Sequence, residues 1–315
     1  MKKIKLFLDS GAWSAYTQKK TIDIDAYIQF IKKYEHLIEV YANLDVINDG
    51  KGSYLNYRYM KDQGLNPLPV YHAETDERYL RYYLKHSDYI AIGAIAKMTT
   101  KYRIANLDSI FEKYLLGSPI KVHGFGVTSL QIMFRYPWHS LDSTSWVAFS
   151  KFGSILIPTT LKMKHRYNCP PRVISLSIRS PSNKKFGQNI NTTTPILKKT
   201  ITRYIKSQGF ELGESKIISE EGQKIKEEVI SPGVSNNHKL RDQFNFLFYV
   251  HAEQDNNLRI YMAGNFPLMK SKEGEKAMRD KVYTTSDFYR RLISYYYEKD
   301  IMNLIELKQE EMNGP

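Results

Sequence analysis

Over its first half the chain alternates short apolar runs with segments of helical period, and that rhythm leaves few folds open. Lys3–Leu8, Ile38–Leu44, Leu68–His72, Tyr89–Ile92, Ile120–His123, the stretch leading to Asp142, and Ser154–Ile157 read as strands. Between them lie helical patterns: residues 23–34, with Ile24, Tyr27, Ile28 and Ile31 at i, i+3, i+4 and i+7, then 53–63, 76–84 and 104–114. Strands separated by crossover helices predict an α/β fold with a parallel sheet. About seven such units with short connections suit a (β/α)8 TIM-like barrel better than an open doubly wound sheet. No G-x-G-x-x-G phosphate loop follows the first strand, which weakens the dinucleotide-binding alternative.

Beyond Pro158 the rhythm breaks. Pro170-Pro171, Ser180-Pro181-Ser182-Asn183 and Thr192-Thr193-Thr194-Pro195 read as turns, followed by a mixed-charge patch from Glu211 to Glu228. The organisation expected is a main barrel portion over 1–158, a basic elaboration over 159–240, and closure over 241–315. Phe244–Val250 and Leu258–Ala263 are candidates to complete the sheet, and a last helix starts near Thr285 with Phe288, Leu292, Tyr295 and Tyr296 on one side.

Charge points to a partner. The chain carries 46 Lys and Arg against 33 Asp and Glu, a net +13. From Ser143 to Phe210 it has no acid but twelve bases, among them Lys162, Lys164, Arg166, Arg172, Arg179, Lys184 and Lys185. A solvated surface normally interleaves acids, so an acid-free run of this length favours a polyanion. It lacks the amphipathic helical pattern of a membrane surface, which makes nucleic acid the expected partner. No apolar run approaches a membrane span, and no signal-peptide pattern follows Met1-Lys2-Lys3, so a cytoplasmic location is expected, the host's if the gene is a phage's. Cys169 is the sole cysteine, which excludes an internal disulfide and a multi-cysteine zinc site; no metal is expected.

Three acids stand at comparable places. Asp9, in Leu8-Asp9-Ser10-Gly11-Ala12-Trp13, falls where an apolar strand ends, with a glycine free to take positive φ two residues on. Asp45 closes Asn43-Leu44-Asp45, and Asp142 sits in Ser140-Leu141-Asp142-Ser143. In a barrel all carboxyl ends of the strands face one mouth, where such acids would serve as nucleophile, proton carrier and ligand reader. The ordinary alternative is three turn-capping aspartates, with Trp13 a core aromatic and His72 and His123 hydrogen-bonded strand-end histidines.

These segments resemble, in order and spacing over residues 6–158, the tRNA-guanine transglycosylase superfamily. Asp9-Ser10-Gly11-Ala12-Trp13 is similar to its Asp-Ser-Gly-Gly-aromatic motif and Asn43-Leu44-Asp45 to its second acidic strand end. Ala91-Ile92-Gly93-Ala94-Ile95-Ala96 is similar to its Gly-Gly-Leu-Ala segment, Val122-His123-Gly124-Phe125-Gly126 to its Met-Gly-x-Gly, and Ser140-Leu141-Asp142-Ser143 to its nucleophile motif. The resemblance implies a pentosyltransferase that exchanges guanine in a polynucleotide for a 7-deazaguanine such as preQ0. Asp142 would be the nucleophile at C1′ and Asp9 the proton carrier. Asp45 and Ser10 would contact the base, Trp13 and His123 face it, and His72, Gly93, Ala94 and Gly124 line it. No cofactor is implied beyond the deazaguanine co-substrate.

The chain departs from the pattern at Ala12 and Ser14, where the family has glycine and glutamine, and one cysteine cannot build the family's zinc site. A zinc-free chain with its own basic surface resembles the phage and bacterial DNA-guanine transglycosylase branch (DpdA-like) more than the tRNA enzymes. The alternatives carried forward are the same chemistry on tRNA and a nucleic-acid-binding barrel without chemistry.

Overall fold

The computed structural model describes residues 6–93, 99–127, 129–143, 145–161, 167–180, 187–221, 224–256 and 258–262. Ala94, Lys162, Lys164, Arg166, Lys184, Lys185 and the helix expected near Thr285 lie outside the described residues.

The first half runs β1 (Leu6–Leu8), α1 (Ala12–Thr17), α2 (Ile24–Tyr34), β2 (Ile38–Tyr41), α3 (Gly50–Asp62), β3 (Val70–His72), α4 (Glu77–His86), β4 (Tyr89–Gly93), α5 (Thr100–Ile110), β5 (Lys121–Gly124), α6 (Leu130–Met133) and β6 (Ser140–Ser143). The helical period of α2 has the expected outcome: Tyr27, Ile28 and Ile31 are buried, and Asp23 caps the helix through the amides of Asp25 and Ala26. Asp49 and Asp76 cap α3 and α4 in the same manner. The chain continues through α7 (Ser145–Lys151), β7 (Ser154–Ile157), β8 (Arg172–Ser175), α8 (Pro195–Ser207), β9 (Glu214–Glu221), β10 (Lys224–Ser231), α9 (His238–Asp255) and β11 (Arg259–Met262).

The protein is mixed α/β around a five-stranded parallel sheet of order β11-β6-β5-β4-β3. β1 and β2 pair in parallel. A parallel bridge from Ala42 to Leu68, with Asn43 N–H donating to Leu68 O at 2.9 Å and Leu68 N–H to Tyr41 O at 2.8 Å, joins that pair to the β3 edge. The carboxyl ends of all these strands therefore lie along one edge. One face of the strands packs Ala42, Leu68, Val70 and Ala91 with Phe7, Val40, Tyr89 and Phe125. Against the helices, Tyr27, Ile28, Ile31, Leu44, Met60 and Leu65 form a second cluster.

The second half departs from expectation in three places. β7 forms a strand but pairs antiparallel with β8, outside the parallel sheet. Phe244–Val250, a candidate closing strand, lies inside α9; its buried positions Arg241, Phe244, Asn245, Leu247, Phe248, Tyr249 and Ala252 contain the helical spacing of 241, 244, 245, 248 and 252, and the aromatic density of Phe-Asn-Phe-Leu-Phe-Tyr-Val conceals that period. Thr194-Pro195 is a helix start rather than a turn: Thr194 Oγ1 accepts from Leu197 N–H and Pro195 occupies the first turn, where its missing N–H costs nothing. The other candidate, Leu258–Ala263, does supply a strand, since β11 pairs in parallel with β6.

The elements between β6 and β11 have a core of their own, running from Ile155 and Ile157 through Ile174, Ile201 and Ile205 to Phe244. Asn245, fully buried, ties α9 to it: its Oδ1 accepts from Leu156 N–H, and its Nδ2 donates to Trp146 O and Ser154 O.

Candidate active site

Asp9 follows β1 directly. The chain turns at Gly11, whose φ of 77° is left-handed, and α1 starts at once. Ser10 is buried, takes the Ala12 N–H at 3.1 Å and donates its hydroxyl to Asp45 Oδ1 at 2.6 Å. The turn-capping role open to Asp9 is present as well, since the backbone N–H groups of Ser10 and Gly11 reach its carboxylate and favour the charged form. They are outweighed. Burial, then the charges of Asp45 and Asp142, push Asp9 up from 3.8 to about 7. Asp9 is nonetheless exposed to solvent, although much protein surrounds it, and that water screens part of the effect.

Asp45 stands on the loop after β2, and the loop is tied on both sides. Asn43, fully buried, donates to Ser53 O on α3 and accepts from Val70 N–H on β3, and Asn56 Nδ2 donates to Leu44 O. Both oxygens of Asp45 are engaged, Oδ1 by Ser10 and Oδ2 by His72 Nε2 at 2.8 Å. His72 closes β3 with its side chain 1% exposed, and its Nδ1 is buried without a hydrogen-bond partner among the described residues. Gly93, at the end of β4, leaves room for that ring: a Cβ there would stand 3.2 Å from His72 Cδ2.

Asp142 lies on β6, between β5 and β11, with Tyr261 as its register partner. Its Oδ1 accepts from Gly126 N–H at 2.7 Å and lies 3.5 Å from His123 Nε2. Gly126 turns toward it at φ 61°. Among the described residues Oδ2 has no hydrogen-bond partner, and the side chain remains 23% exposed. His123 is fully enclosed; Phe7 stacks on its ring at 4.3 Å, Phe125 meets it edge-on at 4.6 Å, and its Nδ1 lies 2.7 Å from Ser140 Oγ. Burial holds the imidazole below its usual pKa, with Asp142 pulling the other way, so the ring is neutral at pH 7. The ring thus serves Asp142 and does not offer an open face.

The remaining expected residues stand as follows. Trp13 is 43% exposed on α1, its ring 5.9 Å from that of Tyr16. Gly124 is needed for packing, since a Cβ there would meet Val127 Cγ2 at 2.6 Å and the Trp138 ring at 3.2 Å. Arg172, exposed at the start of β8, borders an open groove of about 380 Å³ with Thr159, Thr194, Ile196 and Thr200. Arg179 pairs with Glu227 of β10 at 2.9 Å, an acid from outside the acid-free run.

Residues that sequence reasoning did not single out complete the site. Tyr27, read as a core residue, donates to Ala42 O at 2.9 Å, and burial with the charges of Asp9 and Asp45 raises its phenol well above 10. Ser140 shares the face of Asp142, two residues away, a period-2 signal that was available. Phe7 and Tyr261 carried no such signal beyond their place on the strands, and Gly126, in the turn after β5, showed only as the last glycine of the Val122–Gly126 segment.

The arrangement combines a carboxyl about half protonated near pH 7, a second with both oxygens engaged, and a third with one oxygen held and one without a hydrogen-bond partner among the described residues. Among the described residues no cluster of His, Cys, Asp and Glu has the makings of a metal site, and no helix is long and apolar enough to cross a membrane. No protein-family model, curated protein or solved structure matches the chain.

Proposed function

We propose that the protein is a DNA-guanine transglycosylase, exchanging guanine in DNA for a 7-deazaguanine such as preQ0 by double displacement. The observation that carries this reading is the gathering of Asp9, Asp45 and Asp142 in unlike surroundings: burial and the charges of the other two push Asp9 up to about 7, and Asp142 is held by one oxygen only. Environments that separate the states of neighbouring carboxyls are how one site runs both acid and nucleophile chemistry.

In the first half-reaction Asp142 Oδ2 attacks C1′, the C1′–N9 bond breaks, and its electron pair leaves with guanine, which takes the proton of Asp9. In the second, Asp9 takes the N9 proton of the incoming base, N9 attacks C1′, and the bond from C1′ to Asp142 breaks to restore the carboxylate. The proton ends where it began. Asp45, with lone pairs left on both oxygens, accepts from the N1–H and 2-amino group of guanine, which adenine and cytosine do not offer. His72 and Ser10 fix that carboxylate, the backbone at Gly93 meets O6, and Trp13 covers the base. In duplex DNA the guanine is flipped out to reach Asp142.

A closed (β/α)8-type barrel belongs to this reading. Its support is the continuous parallel run β1-β2-β3-β4-β5-β6-β11 and the approach of its two ends, where the Phe7 ring of β1 lies 4.9 Å from that of Tyr261 on β11. The basic segment after β6 then holds phosphates, with Arg172 on its exposed side.

The test is incubation with DNA carrying labelled guanine and preQ0. Release of label, incorporation of preQ0, and a denaturation-resistant protein–DNA adduct that Asp142→Asn abolishes are expected. No release from DNA sinks the reading; release from a tRNA transcript alone would move the same chemistry to RNA.

A further inference from the structure

We propose that a hydrogen-bond chain from Tyr89 through Ser140 to His123 Nδ1 sets the tautomer of His123, so that its Nε2–H faces Asp142 Oδ1 and leaves Oδ2 as the attacking oxygen. The role of Oδ2 rests on the transglycosylase reading; the chain itself does not.

The pleat sets up the geometry. Ser140 and Asp142, two residues apart on β6, share one face, and His123 is the register partner of Ser140 on β5. Tyr89 Oη lies 2.5 Å from Ser140 Oγ, Ser140 Oγ 2.7 Å from His123 Nδ1, and His123 Nε2 3.5 Å from Asp142 Oδ1. His123 and Ser140 are completely buried, so no water replaces a missing partner.

Chemistry fixes the direction of every link. A carboxylate only accepts, so the imidazole nitrogen facing Asp142 carries the proton. A neutral ring protonated at Nε2 has Nδ1 as acceptor, and the Ser140 hydroxyl donates to it. That hydroxyl has then spent its single proton and accepts from Tyr89, whose phenol burial keeps protonated, up to about 12. Each donor is used once. A cationic His123 would instead turn two N–H groups outward and leave the hydroxyls of Ser140 and Tyr89 competing for acceptors.

The approach at 3.5 Å does not make a hydrogen bond, and Nε2 is buried without a hydrogen-bond partner among the described residues, so its effect on the carboxylate is electrostatic. Gly126 N–H hydrogen-bonds Oδ1, and the His123 ring lies beside that same oxygen. Phe7 and Phe125 keep the ring from swinging. In the covalent intermediate Oδ1 becomes the ester carbonyl, and the Gly126 N–H, with the His123 dipole beside it, meets the returning negative charge when the bond to C1′ breaks. Holding a nucleophile in its reactive orientation is among the larger sources of rate an active site has.

The test uses the full chain with 15N-labelled histidine. Long-range proton–nitrogen correlation at neutral pH is expected to show His123 neutral and protonated at Nε2. Ser140→Ala, which removes the donor to Nδ1, should shift the ring toward the Nδ1–H tautomer and slow adduct formation by ~10–100-fold with KM for DNA unchanged. Tyr89→Phe should keep the Nε2–H tautomer and slow the adduct less. A wild-type ring protonated at Nδ1 or doubly protonated overturns the chain, as does a Ser140→Ala protein with unaltered tautomer and rate. An Nε2–H ring in a protein that forms no adduct with any polynucleotide supports the chain and counts against the transglycosylase reading alone.

Discussion

A carboxyl that the fold keeps protonated carries a stability cost once it ionises, and Asp9 is such a group. With its pKa raised from 3.8 to about 7, the folded chain holds a proton there that the unfolded chain has already released. Stability from this group is complete below about pH 4 and is lost as pH rises through about 7. Asp9→Asn should therefore leave Tm unchanged near pH 4 and raise it by about 1–2 °C at pH 8, after allowance for solvent screening. Adduct formation should be lost in this variant, and in the wild type it should decline above pH 7 as the acid is consumed. A variant that melts lower than wild type at pH 8 would mean Asp9 is stabilised as a carboxylate. Asp9 and Asp45 were legible in the sequence because each follows an apolar run, and Asp142 because it falls on a further expected strand at the spacing of the family's nucleophile motif. Ser140 was legible only as a neighbour of Asp142 on one strand face, and Tyr27 was not, since a hydroxyl among core residues has the same spelling whether it serves a site or satisfies a carbonyl.

Among elements, the turn after β5 joins packing to chemistry. Gly124 lets Trp138 and Val127 close against the backbone, and two residues later Gly126 aims its N–H at Asp142. Gly124→Ala is expected to cost ~1–3 kcal/mol through overpacking, read as a lower urea midpoint with an unchanged slope whether or not DNA is present. A substitution that spares stability and weakens only binding would give Gly124 a role toward the base instead. The elements most legible were those with clean periods and caps, such as α2 behind Asp23. α8 and α9 were misread for opposite reasons. Thr194-Pro195 is equally the signature of a turn and of a helix start, and only the tertiary burial of Ile201, Tyr204 and Ile205 decides between them. In α9 the aromatic residues follow one another so closely that a strand pattern is written over a helical one.

At the scale of the molecule, the basic run is unevenly neutralised. Arg179 and Lys206 find Glu227 and Glu211, while Arg172, Lys199 and Arg203 form no ion pair among the described residues. Lys199 and Arg203 sit four residues apart on the exposed side of α8. Affinity for DNA should fall steeply with salt, and Lys199→Glu with Arg203→Glu should weaken it ~10-fold or more while lowering the logarithmic salt slope by about 2. An unaltered slope would remove α8 from the interface. The charge excess was legible in composition, but its pairing depends on the β9–β10 hairpin reaching Arg179, a contact far apart in sequence. The same separation bears on how the chain is made. β6 ends at Ser143 and its neighbour β11 begins only at Arg259, with β7 through α9 between them. At ribosomal rates of ~5–20 residues per second, the outer edge of β6 waits roughly 6–23 s for its partner. During that interval the nascent chain presents an open strand edge beside Asp142, and the intervening segment, with its own core, is free to fold first.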